Sequence, residues 1–175
     1  MGETNQNVWT PWRMEYIESL AGRDPNGCFL CEHCRTPQDD ARNHVLWRSA
    51  KTLVMLNRFP YSSGHLLATP TAHEGRFEAL PEDVLLELVL RMRDAKRVLE
   101  LALKAQGFNV GMNLGRCAGA GLPDHLHWHV VPRWGGDTNF MPILGDVKVI
   151  PEALDRTYER LVATARQLGL PTDNG

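Results

Sequence analysis

The sequence predicts an α+β fold in which a long helix packs on an antiparallel β-sheet. Three observations carry this. Short runs rich in β-formers occupy residues 44–70, with turn residues between them. From Pro81 the apolar residues step by three and four, the spacing of one helix face. Two alternating segments, 108–115 and 125–131, then follow with only a loop of small residues between them.

The 175 residues, 43% hydrophobic and 23% charged, fit one domain with an ordinary core. A net charge of −2 supplies no basic footprint for nucleic acid, so no nucleic-acid partner is expected. No apolar run reaches ~18 residues, so no membrane span is expected. The start, "MGETNQNVWTPW", has neither the basic-then-apolar pattern of an export signal nor an Arg-rich amphipathic one, and Gln6 stands where myristoylation wants Ser or Thr. A cytoplasmic location follows as the expectation.

In chain order, residues 1–27 read as an N-terminal arm. Trp9, Trp12 and Tyr16 surround Pro11, apolar surface that should pack on the domain or on a second subunit. Residues 28–145 form the main domain, and 146–175 form a C-terminal helix packed on it. "CFLCEHC" (28–34) leads into a polar loop over 35–43. Strands are predicted at 44–49, 52–57 and 65–70, with "NRFPYSSG" as a loop.

Leu85, Leu88, Met92, Ala95, Leu99 and Ala102 form the buried stripe of the long helix. Glu82 and Asp83 favour its N-terminal dipole and Gly107 is expected to end it, giving a length of ~37 Å over ~25 residues. In 108–115 the apolar Phe108, Val110, Met112 and Leu114 alternate with Asn109, Gly111 and Asn113, so one face is core and the other polar. The last helix, from about 152 to 168, stripes Leu154, Tyr158, Leu161, Val162, Ala165 and Leu168.

The segment "DHLHWHVV" is where chemistry concentrates. Leu126, Trp128 and Val130 should face the core, leaving His125, His127 and His129 on the opposite face. Neighbours in that row are ~6.6–7 Å apart, too far to chelate one ion by themselves, so a row that divides tasks fits better than a three-histidine zinc site. The Gly-rich loop before it and Asn113 beside it predict a pocket on this face.

Cys28, Cys31 and Cys34 fall within seven residues; in a reducing compartment such a cluster reads as metal-binding before it reads as disulfides. Cys34 and Cys117 read as small apolar residues. A Cys-x-x-Cys pair needs two more ligands for a structural zinc, and Cys34, His33, His44 and His65 all remain open as donors.

"HLHWHVV" matches the pattern His-apolar-His-apolar-His-apolar-apolar, and "LNRFPYSSGHLLATPTAH" (56–73) resembles the strand–loop–strand that precedes it in the histidine-triad nucleotide hydrolases and transferases. The helix, the "MNLG" strand and "HLHWHVVPR" follow in that family's order, so the resemblance runs from Cys28 to Trp134. "WTPWRMEYI", "AGAGLPDHLHWHVVPRW" and "GGDTNFMP" are similar to the branch of bacterial diadenosine tetraphosphate phosphorylases. Gly121-Leu122-Pro123 replaces the Gly-Gln-Ser/Thr step of the simple hydrolases, which favours that branch over phosphoramidate hydrolysis.

The resemblance implies a homodimer and a small-molecule nucleotide as substrate. His127 would be the nucleophile, its Nδ1–H held by a backbone carbonyl near His125, and His129 would serve the phosphate and leaving group. Asn113 would be an amide on the phosphate side, and backbone amides at Gly119 to Gly121 an anion nest. Asn57 would bind the ribose, while Trp134 would stack on a base or pack at a subunit interface. It also implies a structural zinc held by Cys28, Cys31, His73 and His125. The alternatives are a hydrolase of nucleoside phosphoramidates or AMP conjugates, and a nucleotide-binding sensor with little turnover.

Overall fold

The computed structural model describes residues 27–137 and 152–172, so the arm expected over 1–27 lies almost wholly outside the described residues. In chain order the elements are α1 (Phe29–Arg35), β1 (Val45–Arg48), β2 (Thr52–Leu56), β3 (Leu66–Pro70), α2 (Glu82–Leu103), β4 (Gly107–Met112), β5 (Trp128–Arg133) and α3 (Leu154–Gln167). The five strands form one antiparallel sheet in the order β1-β2-β3-β5-β4. None of the described helices is long and apolar enough to cross a membrane.

β2 and β3 are buried along their whole length because both faces of the sheet are covered there. Val54, Leu56, Leu66 and Ala68 meet Leu88, Val98 and Leu99 of α2 and Leu161 of α3 in the larger core. Leu53, Met55 and Leu67 point the other way, against Leu30 of α1. Period-two alternation therefore serves two cores at once. The space that α1 leaves uncovered on its face is where a site can form.

α1 is a helix that the sequence does not predict; its spacing shows only the cysteine cluster ahead of the polar loop over 35–43. The Sγ of Cys28 accepts the N–H of Cys31 and caps its start. At the other end Arg48 of β1 donates to the carbonyls of His33 and Cys34 (2.9 and 3.1 Å) and pairs with buried Asp40. A helix of seven residues is too short to persist alone, and this clamp holds it to the sheet.

α2 is 22 residues, about 33 Å at 1.5 Å per residue, shorter than the sequence predicts. Lys104 ends it by taking the left-handed conformation (φ 56°), and Gly107 instead opens β4. Arg160 of α3 donates twice to the carbonyl of Ala102, tying the end of α2 to the last helix.

β4 corrects a second expectation. Phe108 and Met112 pack on the larger core, but Val110 and Leu114 are 51% and 48% exposed. Among the described residues β4 is an edge strand ending at Met112, and no layer covers its middle. Cys117 is exposed rather than packed as a small apolar residue, while Cys34 lies half-buried against the smaller core.

Candidate functional site

The histidine segment enters the sheet from the loop 116–124. Strand pairing begins only at Trp128, later than expected, but the alternation already governs residues 125–130: Leu126, Trp128 and Val130 are buried in the larger core. Its opposite side faces a cavity of about 730 Å³ lined by Asn57, Asn113, Gly119, Gly121, His127 and His129, with Phe29, Met55 and Leu67 as its apolar floor.

His127 Nδ1 lies 2.9 Å from the carbonyl oxygen of His125. A carbonyl only accepts, so Nδ1 carries the proton and the lone pair is on Nε2. Burial pushes the His127 ring below the ordinary imidazole pKa, with the bond to the His125 carbonyl opposing it. The ring is thus held neutral, in one tautomer, on the wall of the cavity.

His129 is fixed through a residue that the sequence offers only as an alternative metal donor. His65 is fully buried just before β3, and the pairing of Leu67 with His129 brings it alongside. The backbone N–H of Tyr61 donates to its Nδ1 (3.1 Å), and the amide of Asn57 lies 3.2 Å from the same atom. Nδ1 is therefore the acceptor, the proton sits on Nε2, and Nε2–H donates to Nδ1 of His129 at 2.9 Å. His129 must then carry its own proton on Nε2, a buried atom with no partner among the described residues. Burial, and next the proximity of His127, push the His129 pKa down to about 4. The Tyr61 ring stacks on His129, with centroids 5.7 Å apart and planes at 27°. A neutral nucleophile and a neutral N–H donor thus sit side by side, their rings 5.1 Å apart.

The loop residues behave less simply. The side chain of Asn113 donates to the carbonyl of Gly119 (3.4 Å), bracing the loop from just beyond β4. The amides of Gly119 and Ala120 bond to Arg116 and Gly115 within the turn, so of the predicted nest only Gly121's amide is not spent in these bonds. Asn57 holds the 57–61 loop by accepting from the N–H of Phe59. Trp134 is not brought to the cavity; its indole N–H donates to the carbonyl of Leu103 at the end of α2.

A second cluster lies behind the first. Cys28, Cys31, His73 and His125 place one donor atom each within 4.8 Å of one another. Cys28 Sγ is 3.2 Å from His125 Nδ1, and Cys31 Sγ is 3.2 Å from His73 Nδ1 and 3.4 Å from His125 Nδ1. Bond lengths of ~2.3 Å to sulfur and ~2.0–2.1 Å to nitrogen put tetrahedral zinc donors ~3.6 Å apart, close to this spacing. His125 Nε2 donates to the carbonyl of Pro70 at 2.9 Å, which leaves Nδ1 bare toward the thiols, as metal-ligating histidines are held. Burial, then the hydrogen bond to Cys28, push Cys31 up to about 11, an effect that a dication reverses.

Gly75 makes this approach possible. A Cβ there would stand 2.7 Å from the Pro123 carbonyl oxygen and 2.9 Å from Asp124 Cα, so only glycine lets the segment after His73 lie against the loop carrying His125. The other candidate donors are elsewhere: His65 on His129, His44 on Asp155, and Cys34 in the smaller core.

Comparison with known proteins finds the HIT domain matching residues 38–136. The chain is 44% identical over 168 residues to an AP-4-A phosphorylase of Mycobacterium tuberculosis, covering 93% of this chain and 86% of that protein. It is 28% identical over 107 residues to an adenosine 5'-monophosphoramidase of Candida albicans, covering 59% of this chain and 70% of the other. Among solved structures, a zinc-bound histidine triad family protein from Mycobacterium smegmatis superposes with a TM-score of 0.66 at 26% identity, over 82% of this chain and 98% of that one.

Proposed function

The chain belongs to the HIT domain family, and within it we propose an enzyme that cleaves dinucleoside polyphosphates of the diadenosine tetraphosphate type through a nucleotidyl-histidine, with phosphate as the preferred second acceptor. The observation that carries this reading is the bond from His127 Nδ1 to the His125 carbonyl, which leaves the Nε2 lone pair for the cavity.

In the first half-reaction His127 Nε2 attacks the α-phosphorus and the bond to the bridging oxygen breaks, so the departing nucleoside polyphosphate takes the bonding pair. The Nε2–H of His129 hydrogen-bonds that oxygen as its charge grows, the preorganised donor such a step needs. Because His129 is held neutral by burial, this donor is a fixed dipole rather than a labile charge. Phosphate then attacks the adduct, releasing a nucleoside diphosphate and restoring His127. Asn57 receives the ribose, while Asn113 and the Gly121 amide lie along the phosphates. The 44% identity over nearly the whole chain supports a phosphorylase over a phosphoramidase.

Zinc is proposed at Cys28, Cys31, His73 and His125, where it would supply a structural cross-link between α1 and the catalytic segment. A homodimer is proposed as well: the β4 edge with Val110 and Leu114, and the outward face of α2 with Leu86 and Val89, leave apolar surface that a second copy would cover. Residues 28–145 are proposed as the catalytic unit, with 146–175 packed on it.

Diadenosine tetraphosphate incubated with and without inorganic phosphate, with products resolved by ion exchange, tests the activity. ATP plus ADP only with phosphate is expected. ATP plus AMP regardless of phosphate replaces the phosphorylase with a hydrolase, and no cleavage refutes the reading.

A further inference from the structure

The cavity extends past the ribose position toward the β1 edge, where His44, Arg42 and Asn43 meet Leu154 and Asp155 from the far end of the chain. His44 stands three strands across the sheet from β5, ~14 Å at ~4.8 Å per strand, with Asn57 at the end of β2 between them. A nucleotide with its phosphate at His127 and its ribose at Asn57 therefore points its base at this end. Phe29 and Met55 supply apolar flanks on the way.

The end wall is tied together across the chain. His44 takes the left-handed conformation (φ 55°), an uncommon one outside glycine, just before β1 begins. Its ring meets that of Tyr158 edge-on (5.4 Å, 82°), and its Nε2 lies 2.8 Å from Asp155 Oδ1. The Tyr158 hydroxyl donates to the carbonyl of Val45. Asp155 and Tyr158 both belong to α3, beyond residues 38–136 that match the family domain. The wall thus joins His44, inside the matched domain, to a helix outside it.

We propose that His44 and Asp155 read the base edge and select a purine carrying a 6-amino group over a 6-oxopurine. This rests on the nucleotidyl-transfer reading above. The carboxylate only accepts hydrogen bonds, and its Oδ1 takes the His44 Nε2–H, which orients it. Its other oxygen makes no bond among the described residues and can accept from the amino group of adenine. With Nε2–H spent on the carboxylate, that nitrogen of His44 offers the base no donor. Hypoxanthine in the same place would set its carbonyl oxygen against acceptors, an unpaired and repulsive contact. The other charged or titratable groups at this end are Arg42, Arg58 and His33; arginine donates to any purine acceptor and does not substitute for the carboxylate. The Asp155 side chain is 88% exposed, so water competes and the discrimination is modest, about fivefold.

Calorimetric titration of the full chain with AMP and with IMP tests this. The parent protein is expected to bind AMP about fivefold tighter. Asp155→Asn keeps an oxygen for His44 but offers the base an amide donor, so the ratio should fall to one or below. His44→Asn, tolerant of the left-handed backbone, removes the anchor of the carboxylate and should lower the ratio as well. A ratio near one in the parent, or a ratio untouched by Asp155→Asn, overturns the inference and leaves the pair as a dock for α3. Failure of both nucleotides to bind overturns the nucleotide reading itself, and this inference with it.

Discussion

Replacing His65 by leucine separates the tautomer argument from the presence of the triad. The side chain is fully buried and bonded to Tyr61, Asn57 and His129 at 3.1, 3.2 and 2.9 Å. Leucine fills the volume but strands the Tyr61 N–H and the His129 Nδ1, each worth ~1–3 kcal/mol when buried and unpaired. The summed loss, ~2–5 kcal/mol after apolar compensation, is survivable within a typical stability of ~5–15 kcal/mol. The catalytic effect is separate. Without a donor on Nδ1, His129 is free to place its proton there and to turn, and a preorganised donor on a developing charge is worth ~10²–10³ in kcat. We expect urea denaturation to show a folded but weakened His65→Leu protein, with kcat lowered about 100-fold and KM changed little. His65→Gln, which returns an N–H at nearly the same reach, should recover part of kcat without recovering all of the stability. A folded His65→Leu enzyme with kcat within threefold of the parent refutes the assignment of the His129 proton to Nε2.

His127→Ala should lower turnover by ~10⁴-fold or more while AMP affinity holds within severalfold, and a clean preparation with substantial activity rules out the covalent route. Cys31→Ser should reduce the zinc content from about one per chain to near zero by elemental analysis; native protein isolated without zinc removes the metal proposal. Gly75→Ala drives a methyl into backbone at 2.7 Å, so zinc affinity should weaken ~10–100-fold and the melting temperature should fall; an unchanged protein shows that the loop moves aside freely. His129, depressed to about 4 in the fold, binds fewer protons there than when unfolded. Its contribution to stability is complete above ~6.5 and declines as pH falls toward 4. Melting temperatures across that window should therefore slope less in His129→Asn, and parallel curves contradict the shift.

The alternation of His125, His127 and His129 and the Cys-x-x-Cys spacing were legible because they are local: period two assigns faces, and two thiols three residues apart read as a pair. Core stripes of both long helices were legible for the same reason. What escaped was set by contacts between distant segments. His65 reaches His129 only because Leu67 pairs with His129 in the sheet, a register that the sequence does not print. His44 meets Asp155 across 111 positions. The sequence leaves Trp134 between a base and a subunit interface, and does not show that its indole N–H meets the carbonyl of Leu103, 31 positions away. The exposed middle of β4 escaped because alternation reports which face is apolar, not whether anything covers it. Lys104 in a left-handed turn escaped because glycine is the expected stop, and the nearby Gly107 drew the boundary too far.

His125 joins the two clusters atom by atom. Its Nε2–H is held by the Pro70 carbonyl, its Nδ1 faces Cys28 and Cys31, and its own carbonyl receives the Nδ1–H of His127. Side chain and carbonyl share one residue, so fixing the ring fixes the peptide plane that decides the tautomer of the nucleophile. The segment is helped by this: ladder pairing starts only at Trp128, and before it the backbone is a loop tied by the Leu126 N–H to the Glu74 carbonyl and by the Thr69 hydroxyl to the Leu126 carbonyl. A structural ion at the first histidine, as proposed above, would thus be worth more to this chain than its distance from the phosphate suggests. On this argument the residual kcat of a folded Cys31→Ser protein should fall while its KM for nucleotide changes only severalfold, because Asn57 follows β2 and Met55 and Leu67 of the cavity floor belong to β2 and β3, while Phe29 is the floor residue that rides on α1 beside the proposed ligands.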